Sequence, residues 1–322
     1  MRRRQLLIAL LASAAARPLK AQSLRTVGFL SGRSPGVDAA FLDAFQRGLA
    51  EGGVVVGRHV AIEYRTANGD PSRLPALVDD MVRRNVDLIF ASSTVSALAA
   101  KAATTAIPIV FTGASDPVAL GLVATLNRPG GNMTGATMYA HTFGAKRLEL
   151  LRQLVPDGST IGILLNPVNP SAATEHRDLQ AAAEKLGLST ATFEAKSAAE
   201  IETAFAALAD RRLRALYLLD DPLFTGQIQK MTALSAQHRV VMISTLREFP
   251  KAGGVVSYGT DFTEVHRQCG LYAARILGGA RPAELPVALP TKFELVLNLR
   301  AAAAAGLAIP PSLLVQADEV IE

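Results

Sequence analysis

Four polar turns hold the residues of this chain best suited to chemistry. They are Phe90-Ala91-Ser92-Ser93-Thr94, Phe111-Thr112-Gly113-Ala114-Ser115-Asp116-Pro117, Leu165-Asn166-Pro167-Val168-Asn169-Pro170 and Leu219-Asp220-Asp221-Pro222. Each follows an apolar run and precedes a helical pattern. Asp116, Asn166, Asn169 and Asp221 each stand directly before a proline. Such a residue can cap the helix, with Pro at its first position. Its free oxygen, or the neighbouring amides, can also hold a polar ligand group. Ser92, Ser93 and Thr94 place three short side chains at a helix start. Hydroxyls beside free N–H groups suit a carboxylate or phosphate, with about 0.3–1 kcal/mol from the helix dipole. The same residues also serve as a cap with room for close packing. Asp116 offers a partner for an ammonium, and together these groups suit a zwitterion such as an amino acid.

Other chemistries lack their residues. None of the five histidines (His59, His141, His176, His238, His266) has a His or Cys partner at ligand spacing, so each reads as a surface residue rather than a metal ligand. The single cysteine, Cys269, lies in a helical pattern and has no thiol partner. There is no Gly-x-Ser-x-Gly elbow, phosphate loop or dinucleotide fingerprint. These absences argue against an enzyme and imply no cofactor or metal. Phe29, Phe90, Phe111, Phe224 and Tyr258 lie at or near inferred strand ends. Core packing is their default role, although one or two could line an apolar pocket.

The elements that must position the turns alternate. Strands are expected at 27–30, 60–64, 86–90, 107–111 and 133–138, with helices at 39–49, 71–84, 95–103 and 117–126. Asp70 is the expected cap of the second of these helices. After a helix at 146–154 the alternation restarts, with strands at 161–165, 189–193, 215–219, 240–243, 255–258 and 293–299. Helices are expected at 172–186, 198–209, 223–237, 264–277 and 301–305. Repeated strand–helix–strand units give parallel sheets covered on both faces. The fold class is α/β, with two similar doubly wound lobes. Ligands of such sheets bind beyond the carboxyl ends of the strands, so two facing lobes would form a cleft.

At 322 residues the chain has the length of two ordinary domains. Its formal charge of +5 arises at one end. Residues 1–21 hold five of the 33 basic residues and no acid, which leaves 28 basic against 28 acidic residues beyond them. A neutral body has no field to attract nucleic acid. The basic start, the uncharged run Leu6–Ala16 and the small residue Ala21 predict a signal peptide over 1–21. Arg3-Arg4 has the pair of a twin-arginine signal without the full motif. With no cysteine at the cleavage site for a lipid anchor, the mature chain is expected to be exported, soluble and periplasmic.

Longer motifs carry a resemblance. Residues 247–259 read REFPKAGGVVSYG, 290–299 PTKFELVLNL and 309–322 IPPSLLVQADEVIE. Residues 111–123 read FTGASDPVALGLV, 127–135 NRPGGNMTG and 147–156 RLELLRQLVP. Over essentially the whole mature chain these stretches resemble the tryptophan/tyrosine-type ABC transporter substrate-binding proteins, receptors of the type I periplasmic-binding fold. The resemblance implies two lobes joined by hinge strands, at 24–138 plus 260–282 and 139–259 plus 283–322. Crossings would fall near 138–142, 258–261 and 281–290. It implies a small-molecule ligand in the cleft, and as partners a membrane permease with its cytoplasmic ATPase, the receptor itself being a monomer. Ligand contacts would fall at Ser31, Ser93, Thr94, Ser115, Asp116, Asn166, Asn169, Asp221 and Tyr258. One departure is Val54, at a position commonly aromatic in the family. If that aromatic shapes the pocket mouth, its loss counts against an aromatic ligand.

The expected function is therefore an exported solute receptor for an amino acid or related carboxylate, which acts by hinge closure. The rival readings are a ligand-sensing module docking to a membrane sensor and, behind it, a cleft enzyme.

Overall fold

The computed structural model describes residues 24–138, 143–156, 160–290 and 292–322. The leader expected at 1–21 and the crossing at 139–142 lie outside these residues, as does His141. Apolar runs such as Leu88–Ala91 and Ile109–Gly113 are buried on both faces, the mark of a central parallel strand. They are β3 and β4 of a first sheet that also contains β1 (Arg25–Ser31), β2 (Val60–Thr66) and β5 (Met133–Thr137). Its order is β2-β1-β3-β4-β5, and every pairing is parallel.

Alternate residues of these strands feed two apolar clusters. Phe29, Leu88, Phe90 and Val110 meet Phe41 and Phe45 of α1 (Pro35–Glu51) and Cys269 and Ala273 of α10 (Phe262–Leu277). Leu30, Ile89, Ala91 and Phe111 meet α2 (Leu74–Arg83) and α3 (Thr94–Ala103) on the other face. Asp70 accepts a bond from Ser72 N at 3.0 Å, as its capping role predicts, but the helix it opens begins with a short 3-10 turn at Pro71–Arg73. His266 corrects the surface reading of the histidines. It is fully buried in α10, stacked 4.6 Å from Phe41, and burial pushes its imidazole down to about 3.

The second sheet contains β6 (Thr160–Leu165), β7 (Ser189–Glu194), β8 (Ala215–Leu218), β9 (Val241–Ser244), β10 (Val256–Thr260), β11 (Phe293–Asn298) and β12 (Glu319–Ile321). Its order is β12-β11-β10-β9-β8-β6-β7. β11 runs antiparallel to β10, and β12 pairs parallel to β11. The alternation did not predict β12, because its three residues are too few to show a period. α4 (Gly144–Leu154) and α5 (Ala172–Lys185) cover one face. α6 (Ala198–Asp210) and α8 (Ile228–His238) cover the other, with α7 (Pro222–Gly226) at the strand ends. α9 (Glu248–Lys251), α11 (Leu299–Ala304) and α12 (Pro311–Gln316) complete the elements.

Two expected helices differ. Residues 117–126 form successive turns instead of a helix. Leu120 N bonds to Asp116 O, Leu122 N bonds to Pro117 O, and Gly121 takes a φ of 64° that ends any helical run. The helix expected at 223–237 is two, α7 and α8, broken at Gln227.

The chain leaves β10 in the second sheet, lays α10 on the first, and returns in β11. Leu285, Val287 and Ala288 stay with the first sheet. Thr134 Oγ1 donates to Leu285 O at 2.7 Å, and Ala288 N donates to Gly135 O at 2.9 Å. These bonds hold the chain on the first sheet through Ala288, within the crossing that the sequence places at 281–290.

Candidate functional site

The carboxyl ends of the two sheets face each other and touch. Ser115 Oγ, after β4, donates to Glu175 Oε1 of α5 at 2.6 Å. Gly32, after β1, sits so close to Pro222 that an added Cβ would lie 3.0 Å from its ring. A side chain at residue 32 would need Pro222 to yield by a few tenths of an ångström.

The sequence-selected residues gather on the two sides of this junction. On the first, the buried Ser31 accepts a bond from Arg33 N at 2.9 Å and shapes the turn. Ser93 caps α3 through Ser96 N at 3.3 Å and pairs with Ser96 Oγ at 2.7 Å. Thr94 Oγ1 lies 3.5 Å from Ser115 Oγ. Asp116 caps the turns after it, accepting from Val118 N and Ala119 N at 2.8 and 3.2 Å.

On the second side Asn166, Asn169 and Asp221 bind one another. Asn166 Nδ2 donates to Asp221 Oδ1 at 3.1 Å, and Asn169 Nδ2 donates to Asp221 Oδ2 at 2.9 Å. Asp221 also caps α7 through Leu223 N at 2.8 Å. The remaining oxygens of Asn166 and Asn169 accept from Val168 N and Ser171 N, both at 3.1 Å. Burial raises the Asp221 carboxyl to about 6, against the pull of these donors. Tyr258 stands partly exposed on β10, its ring edge-on to Phe143 at 6.1 Å.

Four charged residues at the junction escaped the sequence reading. Arg33 is 2% exposed; its Nη1 donates to Ser92 O at 2.6 Å, and its guanidinium lies over Phe41. Arg147 of α4 is 3% exposed and stacks over Tyr217, 4.9 Å from the ring centre. Glu175 takes the bond from Ser115. Burial raises its carboxyl to about 7, and the charge of Asp220 adds to the rise. Asp220 is raised by burial, with Arg33 and then Arg147 pulling it down. Its carboxylate has one long hydrogen bond, from Thr245 Oγ1 at 3.4 Å, and no ion pair among the described residues. The signals were present but faint. Asp220 is the spare acid of a tandem pair whose other member caps a helix, and Arg33 is a charge inside a strand-end turn.

Arg147, Glu175, Asp178, Tyr217 and Asp220 line one cavity of about 130 Å³ between α4, α5 and the end of β8. Among the described residues, no group of three His, Cys, Asp or Glu is placed to hold a metal, and no helix is long and apolar enough to cross a membrane. Val54 lies elsewhere. It lines an open hollow with Arg25, His59 and Leu277, at the end of the first sheet where β1 and β2 begin. An aromatic there could not shape a pocket at the opposite strand ends, so its absence carries no information about ligand.

The comparisons with known proteins agree with this architecture. A tyrosine-binding protein of Clostridioides difficile is 27% identical over 264 residues, covering 82% of this chain and 75% of its own. A conserved domain protein from Vibrio cholerae superposes with a TM-score of 0.84 at 27% identity, over 92% of this chain and 99% of that one. The structure of an ABC domain in complex with L-Trp, from Streptococcus pneumonia, gives 0.83 at 27% identity, over 93% and 100%. Solved periplasmic binding proteins share the fold, which is the type I periplasmic-binding architecture. Residues 29–321 match the family described as ABC transporter substrate binding protein. By that match over nearly its whole length, the chain belongs to the ABC transporter substrate-binding protein family, whose members bind solutes and are not enzymes.

Proposed function

We propose that this chain is the exported receptor of an ABC importer and that it closes its two lobes on an amino acid, with L-tyrosine and L-tryptophan the first candidates. The observation that carries the reading is the junction itself, where strand ends of both sheets meet through Ser115 and Glu175 and bury charges of both signs. The names of two relatives, one tyrosine-binding and one held with L-Trp, support the ligand class. Ligand that touches both lobes only when they meet shifts the population toward closure. The lobes comprise about 24–138 with 260–288, and 143–259 with 292–322. Thr94, Ser115 and Tyr258 face the ligand. Ser31, Ser93, Asp116, Asn166, Asn169 and Asp221 hold the turns that frame it. The closed surface docks a permease driven by its ATPase, and the receptor works as a periplasmic monomer after loss of 1–21.

A thermal-shift screen of L-amino acids, sugars and nucleosides tests the ligand class, since binding to the native state raises its melting temperature. Amino acids should raise it. A rise with only a sugar or nucleoside would replace the ligand class.

A further inference from the structure

The turn that follows β9 reaches out of its own lobe. Ser244 Oγ accepts from Leu246 N at 3.1 Å and bends the chain. Leu246 then lies buried in the apolar cluster of the first sheet, with Phe41 and Phe262. Arg247 comes next, and its guanidinium meets carboxylates from three segments. Nη1 lies 3.1 Å from Glu294 of β11 and 3.5 Å from Asp261, and Nη2 binds Glu319 of β12. Glu294 and Glu319 stand in the second sheet, the one that carries β9. Asp261 does not, because it caps α10, which packs on the first sheet. Its two oxygens divide the work. Oδ1 accepts from Thr263 N at 2.8 Å and Glu264 N at 3.3 Å, and Oδ2 faces Arg247.

The approach at this point is tight. An added Cβ at Gly259 would lie 2.1 Å from the carbonyl oxygen of Thr245, so no side chain fits between the turn and the crossing. Beside them Thr137, Thr260, Asp261, Ala288 and Pro290 line a hollow of about 390 Å³. The hollow leaves the crossing segments room to shift, so packing alone does not fix the angle between the lobes. We propose that Arg247 is a positioning residue of the receptor, which holds the lobes at the closed angle through Asp261 and so raises ligand affinity without touching ligand. The proposal rests on the hinge closure above and names a residue that biases it. Arg247 and Asp261 are each about a quarter exposed, so the pair biases the closed form by about threefold and does not lock it.

Distances between spin labels on Val118→Cys and Val168→Cys test the proposal without ligand. Both positions are exposed, in turns of opposite lobes, and the buried Cys269 takes no label. In the free chain, Arg247→Gln should lower the ratio of short to long distances about threefold. Asp261→Asn, which keeps an oxygen to cap α10, should do the same. The double variant should do no more than either alone. Arg247→Lys, which keeps the charge but loses the planar fork, should fall between. Glu319→Gln removes a pair within the second sheet and should leave the distances unchanged. Salt raised from about 0.01 M to about 1 M should lengthen the distances more in the unaltered chain than in Arg247→Gln. L-Tyrosine should bind Arg247→Gln about threefold more weakly by calorimetry. The melting temperature of each variant checks that it folds. Distances that ignore both Arg247→Gln and Asp261→Asn, or that respond equally to Glu319→Gln, would overturn the role of Arg247. Failure of L-tyrosine to bind the unaltered chain would overturn the amino-acid reading alone, because the ligand-free distances decide the role of Arg247.

Discussion

Ser115 and Glu175, sixty residues apart and each beside a different sheet, share a 2.6 Å hydrogen bond that joins the two halves of the molecule. The serine ends the turn after β4, and the glutamate lies in the first turn of α5. Thr94 backs the serine from the start of α3. The bond forms only where the two sheets meet, so under the proposed hinge closure it belongs to the closed form. Ser115→Ala should therefore weaken closure without disturbing either core. The expected cost is about 1 kcal/mol, or roughly fivefold in ligand affinity. Calorimetry reads the affinity, and small-angle scattering reads any expansion of the free chain. Unchanged values in both would show that the contact does not bias the lobes.

Glu175 also makes the fold sensitive to pH. Its carboxyl is raised by burial to about 7 from an ordinary 4.5. The charges around it are Asp220 just after β8, Arg147 on α4 and Asp178 on its own helix, with the Tyr217 ring behind. Between those two values the folded chain holds a proton that the unfolded chain has released. Stability from this group is therefore complete below 4.5 and declines as pH rises through 7. The melting temperature of the ligand-free chain should fall from pH 6 to pH 8. Glu175→Gln, which stays neutral, should flatten that slope. Asp221, raised to about 6, acts in the same direction lower in the range, so the difference between wild type and Glu175→Gln isolates the one group. An identical slope in the two proteins would assign the titration elsewhere.

Asp220 and Asp221 are adjacent in sequence and opposite in role. Asp221 accepts bonds from Asn166, Asn169 and Leu223 N. Asp221→Ala should cost about 2 kcal/mol or more, because it removes a cap and strands two buried amides. Among the described residues the Asp220 carboxylate receives one long bond, from Thr245, and burial already disfavours its charge. Asp220→Asn should therefore leave the melting temperature equal or higher. Denaturant unfolding and calorimetry on the two variants separate these outcomes. Equal destabilisation would make both aspartates structural.

Much of this arrangement is readable in the residues, and the limits have physical causes. Periodicity and caps locate strands and helices because they act over a few neighbours. Asp70 and Ser93 cap where local chemistry requires. The same locality explains what was missed. Asn166, Asn169 and Asp221 look like open ligand contacts in isolation, but the fold turns their donors and oxygens on one another. Arg147 and Glu175 lie on helices whose pattern marks them only as polar positions. They come to line one cavity when α4 and α5 pack beside the end of β8. Leu285, Val287 and Ala288 likewise carry no local sign of the sheet they join, because their partners, Thr134, Leu126 and Gly135, lie about 150 residues earlier.

The crystal structure of the chain grown with the amino acid that most raises its melting temperature tests the account most directly. The account predicts that molecule between the two sheets, with Ser115 bonded to Glu175 beside it. An amino acid bound away from the junction, or a closed junction that holds none, would contradict it.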